Sequence, residues 1–196
     1  MDDAAVVALT VQWLERAVIG LNLCPFAKSV HIKGQIYYVV TAASTRADLL
    51  AVLKNELNGL LAQESTARDT TLLIAPLALP DFLDFNDFLP ACDRLLCRMK
   101  LDGIFQIASF HPQFQFADTA PEDITNYTNR APFPILHLLR EDSIDRAVDA
   151  FPEPDAIFEK NMQTLKDLGV HGWNALGVQA PTSAGDISPH GKIAAS

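Results

Sequence analysis

Groups able to do chemistry crowd into one stretch, residues 109–141, which reads SFHPQFQFADTAPEDITNYTNRAPFPILHLLRE. It holds His111, Asp118, Asn126, Asn129, Arg130, His137, Arg140 and Glu141. Imidazoles near a carboxylate suit proton transfer or the ligation of a divalent metal. Guanidinium groups suit a bidentate grip on a carboxylate or phosphate. The stretch opens where one apolar strand runs out and closes on another, PILHLLR. In that second strand Ile135, His137 and Leu139 alternate with Leu136 and Leu138. An imidazole among aliphatics must meet a polar partner, because leaving it unpaired costs about 1–3 kcal/mol.

Three readings stay open. In the first, His111 and His137 exchange or orient protons in an enzyme pocket. Asp118 or Glu141 then serves as orienter or base, Arg130 and Arg140 hold an anionic substrate, and Asn126 and Asn129 add hydrogen bonds. In the second, His111, His137 and Asp118 bind a divalent metal, Zn or Fe, although their spacing matches no metal motif. In the third, both histidines are satisfied structural residues, and Asn126, Asn129 and Arg130 pin a long loop to the sheet. A further candidate is Cys24 in GLNLCPFAK, read as a buried thiol in a loop or as a nucleophile paired with one of the histidines. No GxGxxG, P-loop or GxSxG occurs. His31, His171 and His190 fall in loops or the tail. Asp81, Asp84 and Asp87 lie where acids favour a helix start, and Phe82, Phe85 and Phe88 read as core.

The elements that must position these groups follow from periodicity. Apolar residues at three- and four-residue steps predict helices over 3–20, 46–63 and 82–99, the last interrupted by Pro90. Asp2 or Asp3 caps the first, and Ser44 or Thr45 the second. β-branched and aromatic runs predict strands over 35–42, 70–77, 104–110 and 135–140. Two short helices are expected over 142–150 and 154–168, with Asp142 or Ser143 capping the first and Gly169 closing the second. Cys92 and Cys97 lie on the apolar side of the third helix and read as core. Strands separated by helices predict an α/β fold with a mainly parallel (mixed) sheet of about four strands. The direction of the last strand stays open. His111 then stands just past the carboxyl end of the third strand, where ligands of such sheets bind. The 22 residues from Pro112 to Phe133 inclusive contain no evident element, and a loop so long and aromatic is expected to fold over a pocket.

The 196 residues suit one domain, expected over 1–176, with a flexible Gly-, Pro- and Ser-rich tail over 177–196. A net charge of −9 disfavours nucleic acid and anionic membrane surfaces as partners. Three cysteines without a CxxC pair fit a reducing, cytoplasmic setting. The N-terminus lacks a signal-peptide pattern, and no apolar run reaches the roughly 18 residues of a membrane span.

Three segments, GLNLCPFA at 20–27, SFHPQFQFAD at 109–118 and NYTNRAPFPILHLLRE at 126–141, together resemble a bacterial and plant family catalogued as a domain of unknown function. The likeness covers the chain up to about Trp173 and leaves the tail outside. It brings no activity with it. It implies that Cys24, His111, Asp118, Asn129, Arg130 and His137 belong to one site. The sequence therefore predicts an enzyme acting on a small anionic molecule at the carboxyl ends of the strands. The alternative is a metal- or small-ligand-binding protein without catalysis.

Overall fold

A computed structural model describes residues 1–149 and 156–180. Helix α1 (Asp3–Trp13) starts where the Asp2 carboxylate accepts the Ala5 N–H at 2.8 Å, and it runs straight into a π-helical turn, Leu14–Ile19. A short helix, α2 (Ala27–Ile32), follows, then the edge strand β1 (Ile36–Val40). Thr45 caps α3 (Arg46–Leu61), which leads into β2 (Thr70–Ile74). Asp81 caps α4 (Phe82–Asn86), and α5 (Leu89–Met99) takes Pro90 in its first turn. There the missing N–H loses no helical bond. Strand β3 (Phe105–Phe110) precedes the long loop, which contains one 3₁₀ helix (Ile124–Thr128). Strand β4 (Ile135–Arg140) continues without a loop into α6 (Glu141–Asp149), and α7 (Ala156–Ala175) completes the described elements.

The protein is α/β, with a four-stranded mixed sheet in the order β1-β2-β4-β3. β1 and β2 are parallel, and β4 is antiparallel to both β2 and β3. Hence β1, β2 and β3 run the same way, and β4 is inserted against them. Strand alternation sends Leu73, Leu136 and Leu138 to one face. There they pack with Leu49, Leu53 and Leu57 of α3 and with the aromatic and aliphatic residues of α4 and α5. Leu72, Ile74 and Ile135 point to the other face, against Trp13, Leu14, Leu165 and Trp173 of the N-terminal helix and α7.

Several expected boundaries move. The helix foreseen over 82–99 is two. Gly169, non-helical at φ 64° and ψ 173°, does interrupt the helix foreseen over 154–168, as expected, and a second helical segment that was not foreseen follows it to Ala175. The helix foreseen over 142–150 starts at Glu141, so neither Asp142 nor Ser143 caps it, and Ser143 instead donates to Asp69 at 2.6 Å. α2 was not foreseen. Cys97 is exposed, although Cys92 is core as expected. Residues 177–180, assigned to a tail, pack on the body: Gln12 donates to the Gly177 carbonyl at 2.7 Å, and Val178 is buried. The remainder of the expected tail, 181–196, lies outside the described residues. Among the described residues no helix is long and apolar enough to cross a membrane.

Candidate functional site

The β3–β4 register, which sets His137 opposite Ala108, sends the two anchors of the candidate stretch to different faces. Phe110, the last residue of β3, faces the α1–α7 side of the sheet, so His111 turns to the opposite side, onto the rings of Phe82 and Phe85. It is fully buried. Its Nδ1 accepts the Gln113 N–H at 3.0 Å, and its Nε2 stands 3.1 Å from the Leu79 carbonyl. An N–H must be accepted at one nitrogen and a carbonyl needs a donor at the other, so the ring is the neutral Nε2–H tautomer. Burial pushes its pKa down. Both nitrogens are thus committed to backbone.

His137 lies in mid-strand, opposite Leu72 of β2 and Ala108 of β3, on the α1–α7 face. The Thr70 hydroxyl is 2.6 Å from its Nε2 and donates to the Leu138 carbonyl, also at 2.6 Å. A hydroxyl has one proton, and the carbonyl can only accept it. Nε2–H must therefore donate to Thr70, which leaves the Nδ1 lone pair without a partner among the described residues. Burial lowers the His137 pKa to about 4, although the residue is half-buried and not sealed in. His111 and His137 do not converge: the sheet separates them.

The other candidates divide in the same way. Asp118 is an exposed turn residue with φ 62°. It is not brought together with the two histidines, and no cluster of three metal-ligating side chains occurs among the described residues. Asn126 is fully buried and pins the loop: its Oδ1 accepts from the Phe116 N–H and the Thr119 hydroxyl, and its Nδ2 donates to Ala120. Asn129 donates to the Ser109 carbonyl at 3.3 Å and accepts the His111 N–H through its own carbonyl. Arg140 stands at the opposite end of the sheet from His111, because β4 is antiparallel. Its guanidinium is taken up by the Leu60 carbonyl at the end of α3 and by the Gln63 and Arg68 carbonyls beyond it. Glu141 shares that distant end. Cys24 packs on the α1–α7 face, and burial raises its thiol pKa, the reverse of an activated nucleophile.

Arg130 is different. Nε donates to the Phe114 carbonyl at 3.2 Å, and one Nη donates to Pro121 at 2.6 Å. The guanidinium lies 4.2 Å from the Tyr127 ring centroid. Among the described residues its second Nη makes no hydrogen bond, and no carboxylate pairs with it. Arg130 thus presents a fixed cation, in no close ion pair among the described residues, to a cavity of about 370 Å³. The cavity is lined also by Phe82, Leu83, Gln113, Gln115 and the carboxylate-bearing Asp81, one of whose oxygens caps α4. This cavity lies between the segments that follow β2 and β3, at the carboxyl ends of those strands. A smaller hollow of about 180 Å³ adjoins the other side of Arg130, beside Tyr127 and Trp173.

Sequence reasoning missed Asp81, Leu83, Gln113 and Gln115 as lining residues. The signal was present: two strand-end segments facing one crevice. It also missed Thr70, a strand residue whose hydroxyl sets the His137 tautomer.

Fold and cavity together define an α/β protein with a groove at the strand ends and one fixed cation beside it. The chain belongs to the family described as protein of unknown function (DUF1415), which matches residues 5–175. No curated protein matches the chain, and no solved structure does.

Proposed function

We propose that the protein binds a small molecule carrying an anionic group in the groove at the carboxyl ends of β2 and β3. The observation that carries this reading is Arg130, a lining residue: two of its nitrogens are committed to loop carbonyls, the third has no hydrogen bond among the described residues, and no carboxylate, Asp81 of the same cavity included, lies within ion-pair distance. A cation held rigid in this way loses little entropy when it takes up a carboxylate or phosphate oxygen. Gln113 and Gln115 add neutral amides, and Phe82 and Leu83 add apolar contact. Most small-ligand sites have this composition. Binding without catalysis is favoured over an enzyme, because neither histidine offers a ring nitrogen to the groove.

The test uses inorganic phosphate, acetate and succinate as probes, followed by thermal shift and calorimetry on the wild type and on Gln113→Glu. The Gln113 side chain is exposed, and only its main chain supports His111. The expected result is saturable binding of at least one probe, weakened tenfold or more by the added carboxylate. Absence of binding by all three, or binding unchanged in Gln113→Glu, contradicts the proposal.

A further inference from the structure

The two edges of the sheet are treated differently. On β3, the Ser109 carbonyl points outward and is met by Asn129, and the following His111 N–H is met by the Asn129 carbonyl. On β1, the Thr41 N–H bonds the Ile74 carbonyl, and the Gln35 carbonyl accepts from Asp69 and Thr70. Odd-numbered residues therefore face β2. With period two, Ile36, Tyr38 and Val40 aim their N–H and C=O groups away from the sheet, and no described residue meets them. This edge carries none of the usual protections: IYYVV contains no proline and no charge, and its register with β2 has no bulge. Tyr37 is 52% exposed on it, and the Tyr38 hydroxyl is buried without a partner.

We propose that β1 pairs antiparallel with β1 of a second copy of this chain, about a twofold axis at Tyr38, to give a continuous eight-stranded sheet.

The outward groups fit this occupant. They are symmetric about Tyr38, so a twofold sets Ile36 opposite the partner's Val40 and Tyr38 opposite the partner's Tyr38. All three outward residues on each chain then exchange both of their hydrogen bonds. The same register lays Tyr37 beside the partner's Val39 and covers the exposed ring. It also sets the two Tyr38 residues side by side as the central pair, on one face of the sheet. Charge permits the approach. The chain is at −9, yet residues 16–47 contain no Asp or Glu, only Arg16, Lys28, Lys33 and Arg46 among charged side chains. In this register Lys33 falls opposite the partner's Ala43, so no like charges meet across the strands. A five-residue pairing buries less than the roughly 1,200–2,000 Å² of a tight interface, so the dimer is in the micromolar range and strengthens with salt as the net repulsion is screened.

Light scattering and sedimentation equilibrium on the whole chain test this, from about 5 to 500 µM. The expected mass rises from 21.4 kDa to twice that value. Ile36→Pro removes an outward N–H without touching the ladder to β2, and Tyr37→Lys adds a charge to an exposed position. Each should weaken dimerisation at least tenfold while the circular dichroism of the monomer stays unchanged. A monomer at every concentration overturns the proposal, as does a dimer that both variants leave intact.

Discussion

The two histidines of the candidate stretch stand on opposite sides of one sheet and are held in opposite ways. His111 is sealed, with both nitrogens bonded to backbone and its ring between two phenylalanines. His137 is half-buried, held at one nitrogen by a threonine and open at the other. The first is a strut for the segments that follow β2 and β3. The second could change its partner without disturbing them. A buried imidazole is thus no sign of a site by itself. What separates strut from site is whether a nitrogen is left over.

The largest expected effect tests the strut. His111→Ala leaves the Leu79 carbonyl and the Gln113 N–H unpaired and opens a void beside Phe82 and Phe85, for a loss of about 3–4 kcal/mol in urea unfolding. A loss below about 1 kcal/mol would erase the contrast between the two rings. Asn126→Ala comes next. It removes three hydrogen bonds from a buried amide and should cost about 2–3 kcal/mol, with the loop at 112–133 the first to gain amide exchange.

Acid sharpens the comparison. The pKa of His137 falls from about 6.5 unfolded to about 4 folded. The unfolded chain therefore binds a proton that the folded chain refuses. Stability contributed by His137 is intact above pH 6.5 and is lost as the pH falls towards 4, by roughly 1–3 kcal/mol after allowance for partial exposure. His111 adds a change of the same sign. His137→Gln should cost about 1 kcal/mol near neutral pH and should flatten the decline between pH 6.5 and 4. An unchanged pH profile in that variant would contradict the assignment. The smallest effect on stability belongs to Gln113→Glu, within about 0.5 kcal/mol, because the side chain is exposed. Its effect appears in binding instead.

Much of the fold was legible because periodicity is local. Leu49, Leu53, Leu57 and Leu60 mark α3 at helical spacing, and the unbroken TTLLI of β2 marks a strand buried on both faces. The direction of β4 was not legible, since alternation reads the same forwards and backwards. That single unknown moved Arg140 and Glu141 to the far end of the sheet, while the register, equally unread, put His137 across it from His111. Asn126 and Asn129 hold the long loop as one of the three sequence readings expected. Arg130 kept a place at the strand ends, but its open nitrogen depends on where the Phe114 and Pro121 carbonyls fall, which no local pattern encodes. The α2 helix was missed because Cys24-Pro25 reads as a loop. Gly169 was legible as a break, but the helical segment that follows it to Ala175 was missed.

The central claim is that Arg130 offers a free cation to a small anion in the groove. Its most direct test is a titration of the ¹⁵N-labelled protein with phosphate and succinate, following the Arg130 Nε–H resonance together with the Leu83, Gln113 and Gln115 amides. The account predicts saturable shifts confined to this group and lost in Gln113→Glu. Resonances that stay still, or shifts spread over exposed lysines instead, would contradict it.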